Sequence, residues 1–233
     1  MPKAKTLKFT ATPEQGRVSA LFLRPQRAKA LLILAHGAGT DMRHHFMEDL
    51  SQALAGQGIA TFRYNFPYKE KGGGGGPNSK VVLAATVRAA AAAAAKTAPD
   101  LPLFGGGKSL GGRMTSLASS EGPLPKVKGL VFFGFPLHPS GKPATERAEH
   151  LSRVAAPMLF LQGPRDTLAT PELLVPIVKR LGKLATLHMV EGADHGFKVL
   201  KSSGRSEADV IQELAEVAAT WMSRQIDPPA TPF

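Results

Sequence analysis

The 233-residue chain is 43% hydrophobic, carries a formal net charge of +11 and contains no cysteine. That is enough apolar material for one sizeable core, and the missing thiols exclude disulfides, thiolate metal sites and a cysteine nucleophile. The pI near 10.1 raises a nucleic-acid partner, but Lys and Arg are scattered among acidic residues and aromatics make up only 6%, so a basic solvated surface is expected instead.

The opening stretch MPKAKTLKFTATPEQG is basic and lacks an apolar centre. No secretory signal and no membrane span are expected, and a cytoplasmic location is the default. Residues 18–23 read as the first strand. The run "ALLILA", Ala30–Ala35, is continuously apolar and ends in His36-Gly37, the pattern of a strand buried on both faces. Phe46, Met47, Leu50, Ala53 and Leu54 recur at helical spacing within 43–56, with Gly56 or Gly58 as the stop. Ile59–Tyr64 is the next strand, and a five-glycine loop follows within 69–78. Residues 79–98 read as a helix with Ser79 as N-cap, and its seven-alanine run gives a slim surface suited to packing on a sheet.

Further along, 101–105 is a strand and 110–119 a helix. Strands follow at Val127–Phe133 and Met158–Gln162, then a helix at Pro171–Leu181 with Pro171 in its first turn. A strand over 184–190 precedes a long amphipathic helix over 206–226. Alternating strands and helices predict an α/β fold, a mostly parallel sheet with helices on both faces. One domain is expected over 1–226, with 227–233 as a frayed tail. Ligands of such sheets bind at the carboxyl ends of the strands, where His36, Ser109 and Asp166 all fall.

The segment "FGGGKSLGG", residues 104–112, admits two chemistries. Read as a phosphate loop ending in Gly107-Lys108-Ser109, it needs a glycine at position 102, which is Pro102. Neither "GLVFFGF" nor "PMLFLQG" ends in a magnesium-holding aspartate. Read as a nucleophile elbow, Gly107-x-Ser109-x-Gly111 fits throughout: an apolar strand leads in, a helix leads out, and glycines stand where backbone must come close. Ser109 then needs a base and an acid in the chain order Ser, acid, His. "LQGPRDTLA" places Asp166, and "EGADHGF" places His195, each just beyond an apolar strand. Glu191 and Asp194 are the competing carboxylates. Asp194 adjoins His195 and is poorly placed to reach its Nδ1 while leaving Nε2 for the serine, so Asp166 is favoured. Oxyanion donors are expected at the backbone N–H of Leu110 and Ala38, with Gly37 and Gly39 opening room in "HGAG".

At these residues the chain resembles the α/β-hydrolase superfamily, from "LILAHGAG" through "GGKSLGG" and "QGPRD" to "GADHGF". The set "HGAG", "ATFRYNFPY" and "GGKSLGG" looks most like a small dienelactone-hydrolase-like or carboxylesterase-like branch. The resemblance implies Ser109 as nucleophile, Asp166 as acid and His195 as base, but not a substrate. The cysteine nucleophile of dienelactone hydrolase itself is missing. The expected activity is hydrolysis of a small-molecule ester or related acyl compound with no cofactor and no metal, beneath at most a short cap in residues 134–157. A non-catalytic scaffold on the same fold is the alternative, with a basic nucleic-acid-binding protein behind it.

Four further readings follow. Tyr64, Asn65, Phe66, Pro67 and Tyr68 either line the pocket or pack a turn. Lys108 either makes a structural ion pair or biases the site toward anions. His36 is structural, tied to nearby backbone. His44 and His45 are expected to diverge on a helix and hold no metal, while His138, His150 and His188 have no evident partner.

Overall fold

A computed structural model describes residues 2–70 and 76–227. Most of the five-glycine segment and the expected tail beyond residue 227 lie outside the described residues. Eight strands form one sheet: β1 (Lys5–Thr12), β2 (Gly16–Leu23), β3 (Ala30–Ala35), β4 (Ile59–Tyr64), β5 (Leu103–Lys108), β6 (Val127–Phe133), β7 (Met158–Gln162) and β8 (Ala185–Met189). Their spatial order is β1-β2-β4-β3-β5-β6-β7-β8. The hairpin β1–β2 is antiparallel and joins β4 antiparallel, and every later pairing is parallel.

The helices are α1 (His45–Gly56), α2 (Pro67–Glu70), α3 (Lys80–Thr97), α4 (Leu110–Ser120), α5 (Pro171–Leu181) and α6 (Glu207–Ile226). The strand β3 explains why "ALLILA" carries no polar residue. Leu31, Ile33 and Ala35 join the core under α3 and α4, while Ala30, Leu32 and Leu34 join the core under α1 and α6. Period-2 alternation thus divides one apolar run between two cores. The alanine-rich α3 lays Ala84, Ala90, Ala91 and Ala94 into the first core.

Several boundaries differ from the sequence expectation, for physical reasons. The strand β1 has no continuous apolar run, because it is an edge strand with half its residues exposed and only Ala11 buried. Gly106 and Gly107 belong to β5 rather than following it: a Cβ at Gly106 would lie 2.1 Å from the Val131 carbonyl oxygen, so the neighbouring strand leaves room for glycine only. His44 precedes α1 as its N-cap and accepts from the Phe46 N–H. Its ring therefore meets that of His45 at 4.1 Å instead of diverging along a helix.

The crossover from β4 over β3 to β5 reverses the winding direction of the sheet. The loops after β3 and β5 therefore flank a topological switch point, where a crevice opens at the carboxyl edge. The stretch between β6 and β7 holds one short 3-10 helix, Glu146–Arg153, packed on α4. No separate lid covers that edge among the described residues.

Candidate active site

Ser109 sits between β5 and α4 with φ 50° and ψ −113°, a left-handed conformation disfavoured for a residue with a Cβ. The surroundings enforce it. Its N–H donates to the Phe133 carbonyl at 3.1 Å, and α4 starts at the next residue. A Cβ at Gly107 would lie 2.5 Å from the Ala35 oxygen, and one at Gly111 2.3 Å from the same atom. Both glycines of the G-x-S-x-G spacing thus let β3, β5 and α4 meet at one point.

His195 lies on the loop after β8. Its Nε2 is 2.9 Å from Ser109 Oγ, and its Nδ1 is 2.6 Å from Asp166 Oδ2. Asp166 is buried, with 1% of its surface exposed. Its Oδ1 accepts from the Leu168 N–H at 2.8 Å, and its Oδ2 also accepts from Gln162 Nε2. Gln162 in turn accepts from the Phe135 N–H at 2.9 Å, so the acid is gripped from β7 and from the turn after β6. The loops carrying acid and base touch at Gly163, where a Cβ would lie 2.2 Å from the Ala193 oxygen, and Arg165 N donates to that carbonyl at 3.0 Å.

Asp194 is occupied elsewhere. Its Oδ1 accepts from the N–H groups of Gly196 and Lys198 at 2.7 and 2.9 Å, which folds the tip of the histidine loop. Glu191 meets Arg205 through its main-chain oxygen at 3.1 Å.

The loop after β3 abuts the serine. A Cβ on Gly37 would come within 3.8 Å of Ser109 Cβ. The Gly37 carbonyl accepts from His36 Nδ1 at 2.7 Å, from Thr40 N and Oγ1 at 3.3 Å, and from the Tyr68 hydroxyl at 3.4 Å. That hydroxyl also donates to the Ala38 carbonyl at 2.9 Å. The Gly37–Ala38 bond is trans, so clamping the carbonyl also fixes the direction of the Ala38 N–H. His36 accepts from the Phe66 N–H at its Nε2, so its proton is on Nδ1, and burial pushes its pKa down to about 4. The ring is a neutral strut, as the sequence implies. The Leu110 N–H belongs to the first residue of α4, where no intrahelical acceptor exists.

Other sequence candidates fall as follows. Tyr64 is fully buried among Phe9 and Phe66. Asn65 accepts from the Met42 N–H at 2.9 Å and donates to Glu70 at 2.9 Å. Tyr64 thus packs at the end of β4, and Asn65 ties the turn that follows it. Gly39 has open space where a Cβ would stand. Lys108 forms no ion pair among the described residues; its Nζ donates to the His195 carbonyl at 2.6 Å. The three histidines without an evident partner have one each: His138 the Pro139 carbonyl at 2.8 Å, His150 the Ser116 hydroxyl at 2.7 Å, and His188 Glu213 at 2.7 Å. The sequence gives no expectation for Gln162, and offers Tyr68 only as pocket lining or part of a packed turn, not as a donor to the Ala38 carbonyl. The only signal for Gln162 was a polar residue closing the apolar strand "MLFLQ".

A mostly parallel, doubly covered sheet with its polar groups on the loops after β3, β5, β7 and β8 is the architecture of the α/β hydrolases. The family model described as alpha/beta hydrolase domain matches residues 28–223. The chain belongs to that family. Among solved structures it is similar to dienelactone hydrolase from Anabaena variabilis, with 18% identity, a TM-score of 0.76 and coverage of 96% of this chain and 98% of that one. A serine hydrolase homologue from Coxiella burnetii gives 20% identity and a TM-score of 0.71, over 93% and 98%. A serine hydrolase without lid from Xanthomonas campestris gives 21% and 0.68, over 99% and 97%. At these identities the likeness concerns the fold. No helix among the described residues is long and apolar enough to cross a membrane.

Proposed function

We propose that the protein is a serine hydrolase that cleaves a small ester or related acyl compound through an acyl-enzyme. The observation that carries this reading is the unbroken relay from Ser109 Oγ to His195 Nε2 at 2.9 Å and from His195 Nδ1 to buried Asp166 at 2.6 Å. Asp166 holds the tautomer with its proton on Nδ1, which leaves Nε2 free to accept the serine proton. Ser109 Oγ attacks the acyl carbon and Nε2 takes the proton. The negative charge that develops on the carbonyl oxygen is met by the N–H groups of Leu110 and Ala38. Nε2 then gives its proton to the leaving group, and water releases the acyl group by the same steps in reverse order of roles.

A scaffold without chemistry gains nothing from a serine held at φ 50°, a conformation costing roughly 1–3 kcal/mol. The reading is tested with a fluorophosphonate probe and a short-chain nitrophenyl ester. Ser109→Ala is expected to abolish labelling and to lower turnover by roughly 10⁴–10⁶-fold with the fold intact. Labelling of another serine, or undiminished turnover in the variant, would reject it.

A further inference from the structure

Lys108 is the residue immediately before the serine, and the reaction proposed above gives it no task. Its position is nevertheless closely specified. Its Nζ donates to the main-chain oxygen of His195 at 2.6 Å. The same ammonium lies 5.9 Å from the ring centroid of Phe46 and 5.3 Å from that of Phe197. Those rings stack on each other at 5.7 Å with 12° between their planes. Both distances fall within the reach of cation–π attraction.

Two backbone features agree with this arrangement. Gly134, at φ +70°, keeps the space open: a Cβ there would lie 3.0 Å from Lys108 Nζ and 3.4 Å from the His195 oxygen. Phe197 holds φ 64° without being glycine, a conformation that needs an external hold. Asp194 supplies part of that hold by closing the 194–198 turn, and the Lys108 ammonium lies over the Phe197 ring.

We infer that Lys108 is a positioning residue: its ammonium, anchored on the His195 carbonyl and over Phe46 and Phe197, fixes the base loop to the strand end that carries Ser109. The serine's own neighbour thereby sets the separation between Oγ and Nε2. Proton transfer depends steeply on that separation. The inference rests on the serine-hydrolase reading.

The charged and titratable groups around the ammonium come from three directions. Asp166 lies after β7, Asp194 and His195 lie after β8, and His44 precedes α1. Burial, only partly offset by Asp166 and Asp194, pushes the Lys108 pKa down to about 8. The cation is therefore lost within an accessible pH range, and with it the attraction to both rings.

The experiment is the pH dependence of kcat and KM for wild type, Lys108→Met and Lys108→Arg on a short-chain nitrophenyl ester. Wild-type kcat is expected to fall as pH climbs through about 8. At neutral pH, Lys108→Met should lose roughly 10–100-fold in kcat with KM changed by no more than about twofold, and should lack the alkaline fall. Lys108→Arg keeps a permanent cation, so it should restore part of kcat and hold it to higher pH than wild type. Wild-type kcat in Lys108→Met, or an alkaline fall identical in all three proteins, would overturn the proposal. Should Lys108→Met fail to fold, the alkaline limb of Lys108→Arg decides alone. Failure of the parent reading looks different: Ser109→Ala would then remain active. If Ser109→Ala is dead and Lys108→Met is normal, only the positioning role falls.

Discussion

Asp166 and Asp194 both lie close to His195, and their hydrogen bonds separate their tasks. Asp166 is buried and directs Oδ2 at the imidazole, whereas Asp194 directs Oδ1 at two backbone N–H groups of its own turn. Replacing Asp166 by Asn presents an amide that favours the other imidazole tautomer, so kcat should drop by about 10⁴-fold at neutral pH. Asp194→Asn keeps an oxygen that can still accept from the turn, and its cost should stay within roughly tenfold. Steady-state kinetics on the two variants check this, and a larger loss in Asp194→Asn would reverse the assignment. The Lys108 ammonium gives a stability signature of its own. Its folded pKa of about 8 lies below the ordinary 10.5, so between those values the unfolded chain binds the additional proton. Stability from this group therefore rises with pH across that window, while the activity proposed to depend on its cation falls. Denaturation midpoints of wild type relative to Lys108→Met should diverge in favour of wild type between about pH 8 and about pH 10. Parallel midpoints across that range would contradict the lowered Lys108 pKa.

At the scale of elements, the short helix α2 supplies the Tyr68 hydroxyl to the carbonyls of Gly37 and Ala38. Burial raises the phenol to about 12, so it remains a donor throughout the working range. Tyr68→Phe should leave the fold in place and lower kcat by roughly tenfold through a looser Ala38 N–H, with the pH profile unchanged. An unaltered kcat would remove α2 from the oxyanion support. Elements of this size explain where the sequence was readable and where it was not. The strands β3, β6 and β7 announce themselves because buried apolar residues fill most of each, and β4 is legible by Ile59, Ala60 and Phe62 although it also buries Thr61 and Arg63. The cap Ser79 was legible for a local reason, since it bonds an N–H three residues ahead, whereas Ser206, read as the first residue of the last helix, caps α6 in the same way. By contrast, β1 is an exposed edge, α2 is four residues long, and the 3-10 helix Glu146–Arg153 has no α-period to detect. The same division holds at the site. Ser109, Asp166 and His195 could be singled out because motif and strand end coincide, and the fold brings the three within hydrogen-bond distance. The bond from Lys108 to a residue 87 positions away, and the grip of Gln162 on Asp166, arise only when the loops are brought together.

At the scale of the whole molecule, what matters is how few of the described residues stand above the carboxyl edge of the sheet. The stretch between β6 and β7, the one place the sequence offered for a cap, contributes a single 3-10 helix, and that helix lies against α4. Residues such as Ala148 and Leu151 are buried in the core beneath it, which ties the segment down and leaves it unable to swing over a substrate without exposing them. An enzyme that binds long acyl chains needs an extended apolar channel, and one activated at a lipid surface needs an amphipathic lid to move aside. The described residues supply neither a lid domain nor a membrane-spanning helix. The cavity of about 580 Å³ between α1 and α6 is lined by Phe46, Phe197 and Ile211, but Ser109 is not among its lining residues. Short acyl esters, about two to six carbons, should therefore be turned over with higher kcat/KM than long-chain esters, because each further methylene would gain no buried contact to offset its ordering cost. Emulsified substrate should give no jump in rate above its solubility limit. A chain-length series of nitrophenyl esters, measured below and above that limit, makes the comparison directly. A steady climb in kcat/KM toward long chains would mean that the carboxyl edge forms a deeper apolar site than the packing of residues 134–157 allows.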